Sequence, residues 1–276
     1  MSELNTVVIV GSSLAGLRAA ETLRLEKYEG RIVIVGAEDR QPYDRPPLSK
    51  KVLSGEWEAD RISLRKPEDL AKLNIDWKLG SAATSLNTIT RTITLASGET
   101  IAFDGLIIAT GSGVRKLPNQ PDWNGVHVVR TLDDSLALRA ELNPGARVVV
   151  IGAGFIGLEV AATAKARGCE VTVLEGAPAP MMRGLGADMG HAAALVHADN
   201  GVTMRFNVKV AGLAEGNGGS VGGVALDDGE VVPADVVVVG IGVVPATQWL
   251  ENTELEIRDG VVCDTTLNAG VPGIYA

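Results

Sequence analysis

Two glycine-rich turns, each followed by an acidic residue, are the parts of this sequence best suited to chemistry. The turns read GSSLAG (11–16) and GAGFIG (152–157), and the acids are Glu38 and Glu175. In a strand–turn–helix unit, the first glycine permits a tight turn, the second lets backbone N–H groups approach a pyrophosphate, and the third allows close helix packing. The helix N-terminus then faces the anion, and the acid accepts hydrogen bonds from ribose hydroxyls. The pattern therefore predicts two dinucleotide-binding sites.

The second turn is complete, whereas the first departs from the pattern at its middle position. Gly152, Gly154 and Gly157 supply all three glycines, but Ser13 stands at the middle position of the first turn. Serine is small enough to be tolerated there, so we expect both turns to bind a pyrophosphate. The members of the first turn are Gly11, Ser12, Ser13, Leu14, Ala15 and Gly16.

The cofactor of the second site is expected to be NADH rather than NADPH. A 2′-phosphate beside the Glu175 carboxylate would be repelled, and residues 176 and 177 are not basic. Arg183 is the basic residue that follows nearby and could weaken this preference.

Each turn lies within a repeated order of β-branched strand, turn, amphipathic helix and second β-branched strand. The predicted strands and helices are 6–10, 17–27 and 31–35 in the first copy, and 147–151, 158–167 and 170–174 in the second. This alternation predicts an α/β protein with two Rossmann-like, glutathione-reductase-type domains, each built on a parallel sheet. Short strands separated by polar turns predict an antiparallel meander in each domain, at 81–103 and 208–232. The loop 216–223 is rich in glycine and is predicted to be flexible.

Composition excludes several other classes of protein. The chain has 276 residues, 46% of them apolar and 21% charged, with a formal net charge of −9, so a nucleic-acid partner is not expected. The two cysteines are Cys169 and Cys263, which excludes a CxxC pair, and the three histidines lack ligand spacing, so no metal site is expected. The N-terminus lacks a signal-peptide pattern, and the longest apolar run, 236–244, is too short to span a bilayer. These features predict a cytoplasmic protein without a membrane partner.

Four sequence segments together resemble one family. They are PYDRPPLSK (42–50), ATG (109–111), GAGFIGLE (152–159) and GIGVVP (240–245). With the first glycine turn, they resemble the NADH-dependent, FAD-containing ferredoxin reductases that serve Rieske dioxygenases and bacterial cytochromes P450, a family that includes putidaredoxin reductase and rubredoxin reductase. The match runs along essentially the whole chain.

The resemblance implies how the chain divides into domains. It places an FAD-binding domain at 1–113, an NAD-binding domain at 114–241, and a return to the FAD-binding domain at 242–276. Family members continue beyond a segment like the one that ends at Ala276, finishing the FAD sheet and adding a C-terminal interface domain. A C-terminally truncated member is therefore expected, and the apolar surface left uncovered in it is compatible with a dimer.

The resemblance also assigns site residues. It implies FAD contacts from residues 11–16, Glu38, Arg45, Lys50, Ala83, Ala109, Thr110, Gly111 and Arg130. It implies NAD contacts from Gly152, Gly154, Ile156, Gly157, Glu159, Glu175 and Gly242. From the residues alone, Arg45 and Lys50 could equally be solvated charges in a proline-rich loop, and Glu159 could simply complement the positive end of its helix.

The implied reaction is hydride transfer from NADH to FAD, followed by transfer of single electrons to a [2Fe–2S] ferredoxin or to rubredoxin. Lys50 and Glu159, by resemblance, form an ion pair beside flavin N5 and are the expected catalytic residues. Because residues 41–50 contain no cysteine, electrons are expected to leave the flavin directly rather than through a thiol. Two alternatives stay open: an NAD-binding module without turnover, and an NADH-sensing flavoprotein similar to apoptosis-inducing factor.

Overall fold

The computed structural model describes residues 4–276, so the first three residues of the predicted FAD-binding domain lie outside the described part. The chain divides into two compact units. Unit 1 comprises Met1–Asp44, of which 4–44 are described, together with Ile62–Gly113 and Val244–Ala276. Unit 2 comprises Arg45–Arg61 and Val114–Val243. Segment 45–61 thus lies in unit 2, whereas the sequence-based boundaries place it in the first domain.

The α-helices, in chain order, are α1 (Leu14–Leu25), α2 (Lys51–Ser54), α3 (Pro67–Lys72), α4 (Leu132–Glu141), α5 (Phe155–Ala166) and α6 (Met182–Asp199). Short 3-10 helices occur at Pro46–Ser49, Ala59–Ile62, Asn217–Gly219 and Gln248–Leu250. In the described residues, no helix is both long enough and apolar enough to cross a membrane.

The strands, in chain order, are β1 (Thr6–Val10), β2 (Arg31–Val35), β3 (Ile75–Lys78), β4 (Ala83–Asn87), β5 (Thr92–Leu95), β6 (Thr100–Ala102), β7 (Gly105–Ile108), β8 (Ser112–Val114), β9 (Val126–His127), β10 (Arg147–Ile151), β11 (Glu170–Leu174), β12 (Thr203–Arg205), β13 (Val210–Glu215), β14 (Val221–Leu226), β15 (Val231–Pro233), β16 (Val236–Val239), β17 (Val243–Pro245), β18 (Ile257–Arg258), β19 (Gly260–Val261) and β20 (Ile274–Tyr275).

Unit 1 is built on a parallel sheet with the strand order β20-β7-β1-β2-β3. In the central strands, Val8 lies opposite Val33 on one side and Leu106 on the other. These strands are nearly continuous apolar runs because both faces of a parallel sheet are covered. One face packs against α1, and the other shares a core with the antiparallel sheet β4-β5-β6. The predicted meander is therefore confirmed as a second layer.

Unit 2 repeats this plan with the parallel order β12-β11-β10-β16-β9 and the antiparallel sheet β13-β14-β15. Val150 lies opposite Val173 in β11 and Val238 in β16. The antiparallel sheet packs on the parallel one through buried valines and leucines, such as Val224 and Leu226. The α/β prediction with a parallel sheet and a meander in each half is confirmed.

In each parallel sheet, the strand before the glycine turn lies between the next strand of its βαβ unit on one side and a later strand of the chain on the other. β1 separates β2 from β7, and β10 separates β11 from β16. Such a switch in strand order opens a crevice at the carboxyl ends of the strands, where ligands bind in open α/β sheets. The glycine turns follow β1 and β10, so each begins at this edge of its own sheet.

Three details differ from the sequence-based predictions. Helices α1 and α5 begin three residues earlier than predicted, at Leu14 and Phe155, because the third glycine lies inside the first turn of the helix. The predicted loop 216–223 ends earlier in the structure, because β14 begins at Val221. A Cβ on Gly223 would lie 2.6 Å from the Val232 carbonyl oxygen. That glycine is required by close strand packing.

Candidate functional site

The first glycine turn is closely packed at both ends. Gly11 has φ +126°, and a Cβ there would lie 2.0 Å from the Ala109 carbonyl oxygen. A Cβ on Gly16 would lie 1.8 Å from the Gly11 carbonyl oxygen. Real Cβ atoms do not approach backbone this closely, so neither position can hold another residue without moving the chain. The two glycines therefore fix the strand-to-helix turn in unit 1.

Ser13 is the N-cap of α1, and its side chain makes no capping hydrogen bond. The first turn of α1 contains no acidic residue, and Leu14 and Ala15 are exposed. The positive end of the helix is thus offered to an external anion, as a bound pyrophosphate requires.

Glu38 follows β2 at the same edge of the sheet. The buried Tyr43 donates a hydrogen bond from its hydroxyl to the Glu38 carboxylate. The Glu38 carbonyl oxygen accepts a further bond from the Gly80 N–H, which ties this loop to the residues after β3. Both contacts hold the acid near the end of the strand.

The second glycine turn repeats the packing of the first. Gly152 has φ +98°, and its Cβ would lie 2.5 Å from the Gly240 carbonyl oxygen. A Cβ on Gly157 would lie 2.2 Å from the Gly152 carbonyl oxygen. Gly154 differs, because a Cβ there would meet no atom within 4 Å. Its lack of a side chain serves no internal packing, which fits a backbone that a ligand must approach.

Helix α5 begins after this turn in the same way as α1. Its N-cap Gly154 cannot supply a capping side chain, and its first turn contains no acidic residue. Ile156 and Phe155 are exposed in that first turn. The helix N-terminus is again open to an anion.

Glu175 follows β11, and both of its carboxylate oxygens accept hydrogen bonds from the backbone. Oε2 accepts from the Ala153 N–H at 2.7 Å, and Oε1 accepts from the Ala177 N–H at 2.8 Å. Ala153 lies within the glycine turn, so the acid and the turn are fastened together. Sequence reasoning missed these two alanines, because a backbone donor leaves no signal in residue type.

Lys50 and Glu159 form an ion pair within unit 2. The Lys50 Nζ lies 2.8 Å from Glu159 Oε2, and the same oxygen accepts a 2.5 Å bond from the Ser49 hydroxyl. The two charged side chains are partly exposed, 44% for Lys50 and 35% for Glu159, whereas Ser49 is buried. Sequence reasoning named the two charges but missed Ser49, although the residue stood in the PYDRPPLSK segment.

The segment Ala109–Gly111 directly follows β7. The Ala109 N–H donates to the Val10 carbonyl oxygen, and Thr110 Oγ1 donates to the Ala246 carbonyl oxygen at 2.9 Å. Gly111 has φ +64°. These bonds give the segment a structural role, and its contact with a cofactor stays a prediction.

Gly242 follows β16 and has φ +108°, a conformation that favours glycine. Its carbonyl oxygen accepts a 3.0 Å bond from the Arg115 N–H, and no atom lies within 4 Å of a Cβ built there. The space beside it is open, as the prediction of a ligand contact requires.

Arg45 and Arg130 lie together in unit 2. One guanidinium nitrogen of Arg45 donates a 2.7 Å bond to the Arg130 carbonyl oxygen. The Arg130 N–H donates to Asp134 Oδ2, beside the capping box that Thr131 and Asp134 form at the start of α4.

Ala83 begins β4 and pairs with Leu95. The cofactor contacts predicted for Arg45, Arg130 and Ala83 stay predictions.

Known proteins resemble this chain over nearly its whole length. The family model described as pyridine nucleotide-disulphide oxidoreductase matches residues 5–276. Rhodocoxin reductase from Rhodococcus erythropolis is 38% identical over 98% of this chain and 64% of its own length. The ferredoxin–NAD(+) reductase component of the p-cumate 2,3-dioxygenase system from Pseudomonas putida is 36% identical over 99% of this chain and 67% of its own length.

A solved structure, the covalent putidaredoxin reductase–putidaredoxin complex, matches with a TM-score of 0.94 and 34% identity, over 98% of this chain and 66% of that one. The chain spans about two thirds of the length of the relatives it matches. The matches extend across both glycine turns, both acids and the Lys50–Glu159 pair. The chain therefore belongs to the pyridine nucleotide-disulphide oxidoreductase family.

Proposed function

We propose that this protein is an NADH-dependent, FAD-containing reductase that passes electrons to an iron–sulfur ferredoxin, or to rubredoxin, for an oxygenase. Membership of the family implies the use of FAD and NAD(H). The names of the relatives, ferredoxin–NAD(+) reductases and rhodocoxin reductase, support the direction of transfer. The observation that carries the proposal is the presence of two glycine turns, each closely packed at its outer glycines and each followed by a helix with no acidic residue in its first turn.

The residues of unit 2 fit a pyridine dinucleotide. Gly152 and Gly157 pack so tightly that the turn cannot collapse, whereas the space beside Gly154 is open. A pyrophosphate there would accept hydrogen bonds from the first N–H groups of α5, which have no partner within the helix. Glu175 stands after the neighbouring strand, where it can accept from ribose hydroxyls in addition to its two backbone donors.

The surroundings of Glu175 support NADH over NADPH. The nearest basic residue on the neighbouring strand is Arg205, whose Cα pairs with that of Leu174. Its guanidinium makes two bonds to the Glu230 carboxylate, at 2.6 and 2.7 Å, which holds this charge. A 2′-phosphate would therefore be repelled by the Glu175 carboxylate, and the Arg205 guanidinium, which is already paired with Glu230, would offset little of this repulsion.

The residues of unit 1 fit the adenosine diphosphate half of FAD. The first N–H groups of α1 would bind the pyrophosphate, and Glu38, held by Tyr43, would accept from the adenosine ribose. When both cofactors are bound, NADH supplies a hydride and FAD accepts it and releases two electrons singly. Lys50 and Glu159 are proposed as the charged residues that control the hydride step. Cys169 is poorly suited to thiol chemistry, because it is buried and burial raises the pKa of its thiol.

The test is a visible absorption spectrum of the purified chain, loaded with FAD and titrated anaerobically with NADH. We expect a flavin spectrum that NADH bleaches, and a subsequent reduction of added [2Fe–2S] ferredoxin. A colourless chain that binds NADH would instead indicate a binding module without turnover. A chain that NADH bleaches but that reduces no ferredoxin or rubredoxin would favour the NADH-sensing alternative, and both results would contradict the proposal.

A further inference from the structure

We propose that Ser49 is a positioning residue, whose hydroxyl fixes the Glu159 carboxylate and thereby places the Lys50 ammonium. The inference rests on the proposed function, because the position of Lys50 matters to catalysis only if the chain transfers a hydride. The geometry on which it depends lies entirely within unit 2, and it can be tested in the chain without cofactors.

The Ser49 hydroxyl and the Lys50 ammonium bind the same oxygen of Glu159. Ser49 Oγ donates to Oε2 at 2.5 Å, and Lys50 Nζ donates to it at 2.8 Å. Both charged side chains are long and partly exposed, and exposed ion pairs of this kind are held weakly because each side chain retains many rotamers. Ser49 is 5% exposed and has a single side-chain torsion. The hydroxyl is therefore the rigid member of the three.

The backbone of Ser49 is itself tied to α5. Its carbonyl oxygen accepts a 2.9 Å bond from Thr163 Oγ1. Glu159 and Thr163 are four residues apart in α5, so they lie on one face of that helix. Ser49 thus meets α5 at two points one turn apart, through its hydroxyl and through its carbonyl.

A third bond anchors the preceding residue to α4. The fully buried Ser135 donates from its hydroxyl to the Leu48 carbonyl oxygen at 2.6 Å. Leu48 and Ser49 end the short helix Pro46–Ser49, and Lys50 follows directly. The segment that carries Lys50 is therefore fixed against two helices, and the Ser49 hydroxyl is the part of this anchor that reaches the ion pair.

Removal of the hydroxyl should release the ion pair without loosening the segment. In Ser49→Ala, the Thr163 and Ser135 bonds remain, but Glu159 keeps only the Lys50 contact. Glu159 and Lys50 would then move among several rotamers. We expect flavin reduction by saturating NADH to slow about five-fold, because the charged pair would then spend less time in the geometry that the transition state needs.

The decisive measurement is the NMR signal of Lys50 in the flavin-free chain, after reductive ¹³C-methylation and assignment with Lys50→Arg. In Ser49→Ala, this signal should move towards the position of exposed lysines, and Ser49→Thr should restore it. Ser54→Ala is the matched control. The Ser54 hydroxyl donates to the Lys51 carbonyl oxygen within α2, so its removal does not affect the Glu159 carboxylate. An unchanged Lys50 signal in Ser49→Ala would overturn the inference.

A double-mutant comparison separates positioning from a general structural role. Ser49→Ala should slow flavin reduction in the parent chain but have no further effect in Glu159→Gln. An equal loss in both backgrounds would contradict the inference. If NADH fails to reduce the flavin of the parent chain, the proposed function fails, while the NMR result still decides the position of Lys50.

Discussion

The two parallel sheets end alike but carry their acids at different positions. In unit 2 Glu175 directly follows β11, and its N–H donates to the residue across the sheet, Arg205. In unit 1 the residue in the same hydrogen-bonded position is Gly36, whose N–H donates to Lys78, and the acid comes two residues later. Glu38 and Glu175 are therefore not equivalent in position, although each follows the second strand.

Ser12 gives the physical reason for this difference. A Cβ on Gly36 would lie 2.3 Å from Ser12 Oγ, so the serine side chain fills the space that a longer residue at 36 would need. In unit 2 the residue at the same place in the turn is Ala153, which leaves room for the Glu175 carboxylate and donates its N–H to it. One acid is thus fastened to the turn itself, and the other is held by a side chain, Tyr43.

The middle position of the turn differs as well. In unit 1 this position is occupied by Ser13, so a side chain is present there. In unit 2 it is occupied by Gly154, and a Cβ at that position would meet no atom within 4 Å. Packing within the chain therefore requires the outer glycines in both units, whereas it does not require the middle glycine of unit 2, which agrees with the proposed ligand contact there.

The largest effect is expected from the third glycine. Gly157→Ala would place a Cβ 2.2 Å from the Gly152 carbonyl oxygen, so the backbone must move. We expect the free energy of unfolding to fall by about 3 kcal/mol, together with a loss of NADH binding, as measured by urea denaturation and NADH titration. Gly212→Ala, where a Cβ meets no atom within 4 Å, is the control. Equal stability of the two variants would break the comparison.

Glu175→Gln should be next in size. The amide group is neutral and accepts at only one atom, so both the Ala153 and the Ala177 N–H lose a charged partner, one of them loses its acceptor, and the ribose loses an acceptor. Hydrogen bonds to charged groups contribute about 1.5–3 kcal/mol, so NADH affinity should fall about 10- to 100-fold. Glu170→Gln, at the exposed start of the same strand, should leave it unchanged.

Gly154→Ala should separate binding from stability. Because no atom lies near the added Cβ, the free energy of unfolding should stay within about 0.5 kcal/mol of the parent. The methyl group would hold the pyrophosphate away from the helix N-terminus, and NADH affinity should fall about ten-fold. Ser13→Gly in unit 1 is the reciprocal variant and should not weaken FAD binding. A large loss of stability in Gly154→Ala would show that this glycine, too, serves packing.

Tyr43→Phe should affect only the first site, and more mildly. The variant keeps the ring but removes the hydroxyl that orients Glu38, so FAD affinity should fall about five-fold in a fluorescence titration. FMN, which lacks the adenosine ribose, should bind equally to parent and variant. An equal loss for FMN would mean that Tyr43 acts by packing and not through Glu38.

The smallest effect concerns a feature that both units share. Asp104 and Asp235 each precede a sheet strand and accept from the first N–H groups of the neighbouring strand, at Asn5 and Thr6 in unit 1 and at Arg147 in unit 2. In unit 2 the Arg147 guanidinium also binds the carboxylate and lowers the pKa of Asp235.

A carboxyl group whose pKa is lower in the folded chain than in the unfolded chain stabilises the fold at pH values above the unfolded pKa. This stabilisation is lost as the pH falls through the pKa of the folded chain. Asp235→Asn should therefore cost less than about 1 kcal/mol at neutral pH, since the pair is half exposed. The difference from the parent should shrink as the pH falls through the lowered pKa of Asp235, as followed by urea denaturation across pH. A difference that does not shrink would have a source other than the charge.

Much of the fold was readable because its signals are local. Runs such as VVIV and RVVVI predict buried strands from β-branched residues alone, and the glycine spacing predicts the turns and helices that follow. The two acids were found by their distance beyond the turns. The Lys50–Glu159 pair came from the family resemblance, and the structure brings these two residues together.

The tertiary structure alone decided which groups hold the site residues. Ser49 meets Glu159 across 110 positions, and segment 45–61 lies with unit 2. Likewise, the shift of the first acid depends on the volume of Ser12 beside Gly36. A pattern in sequence records the period of one helix or strand, but these contacts form between elements, where the distance and direction of each side chain are set only when the sheets and helices pack together.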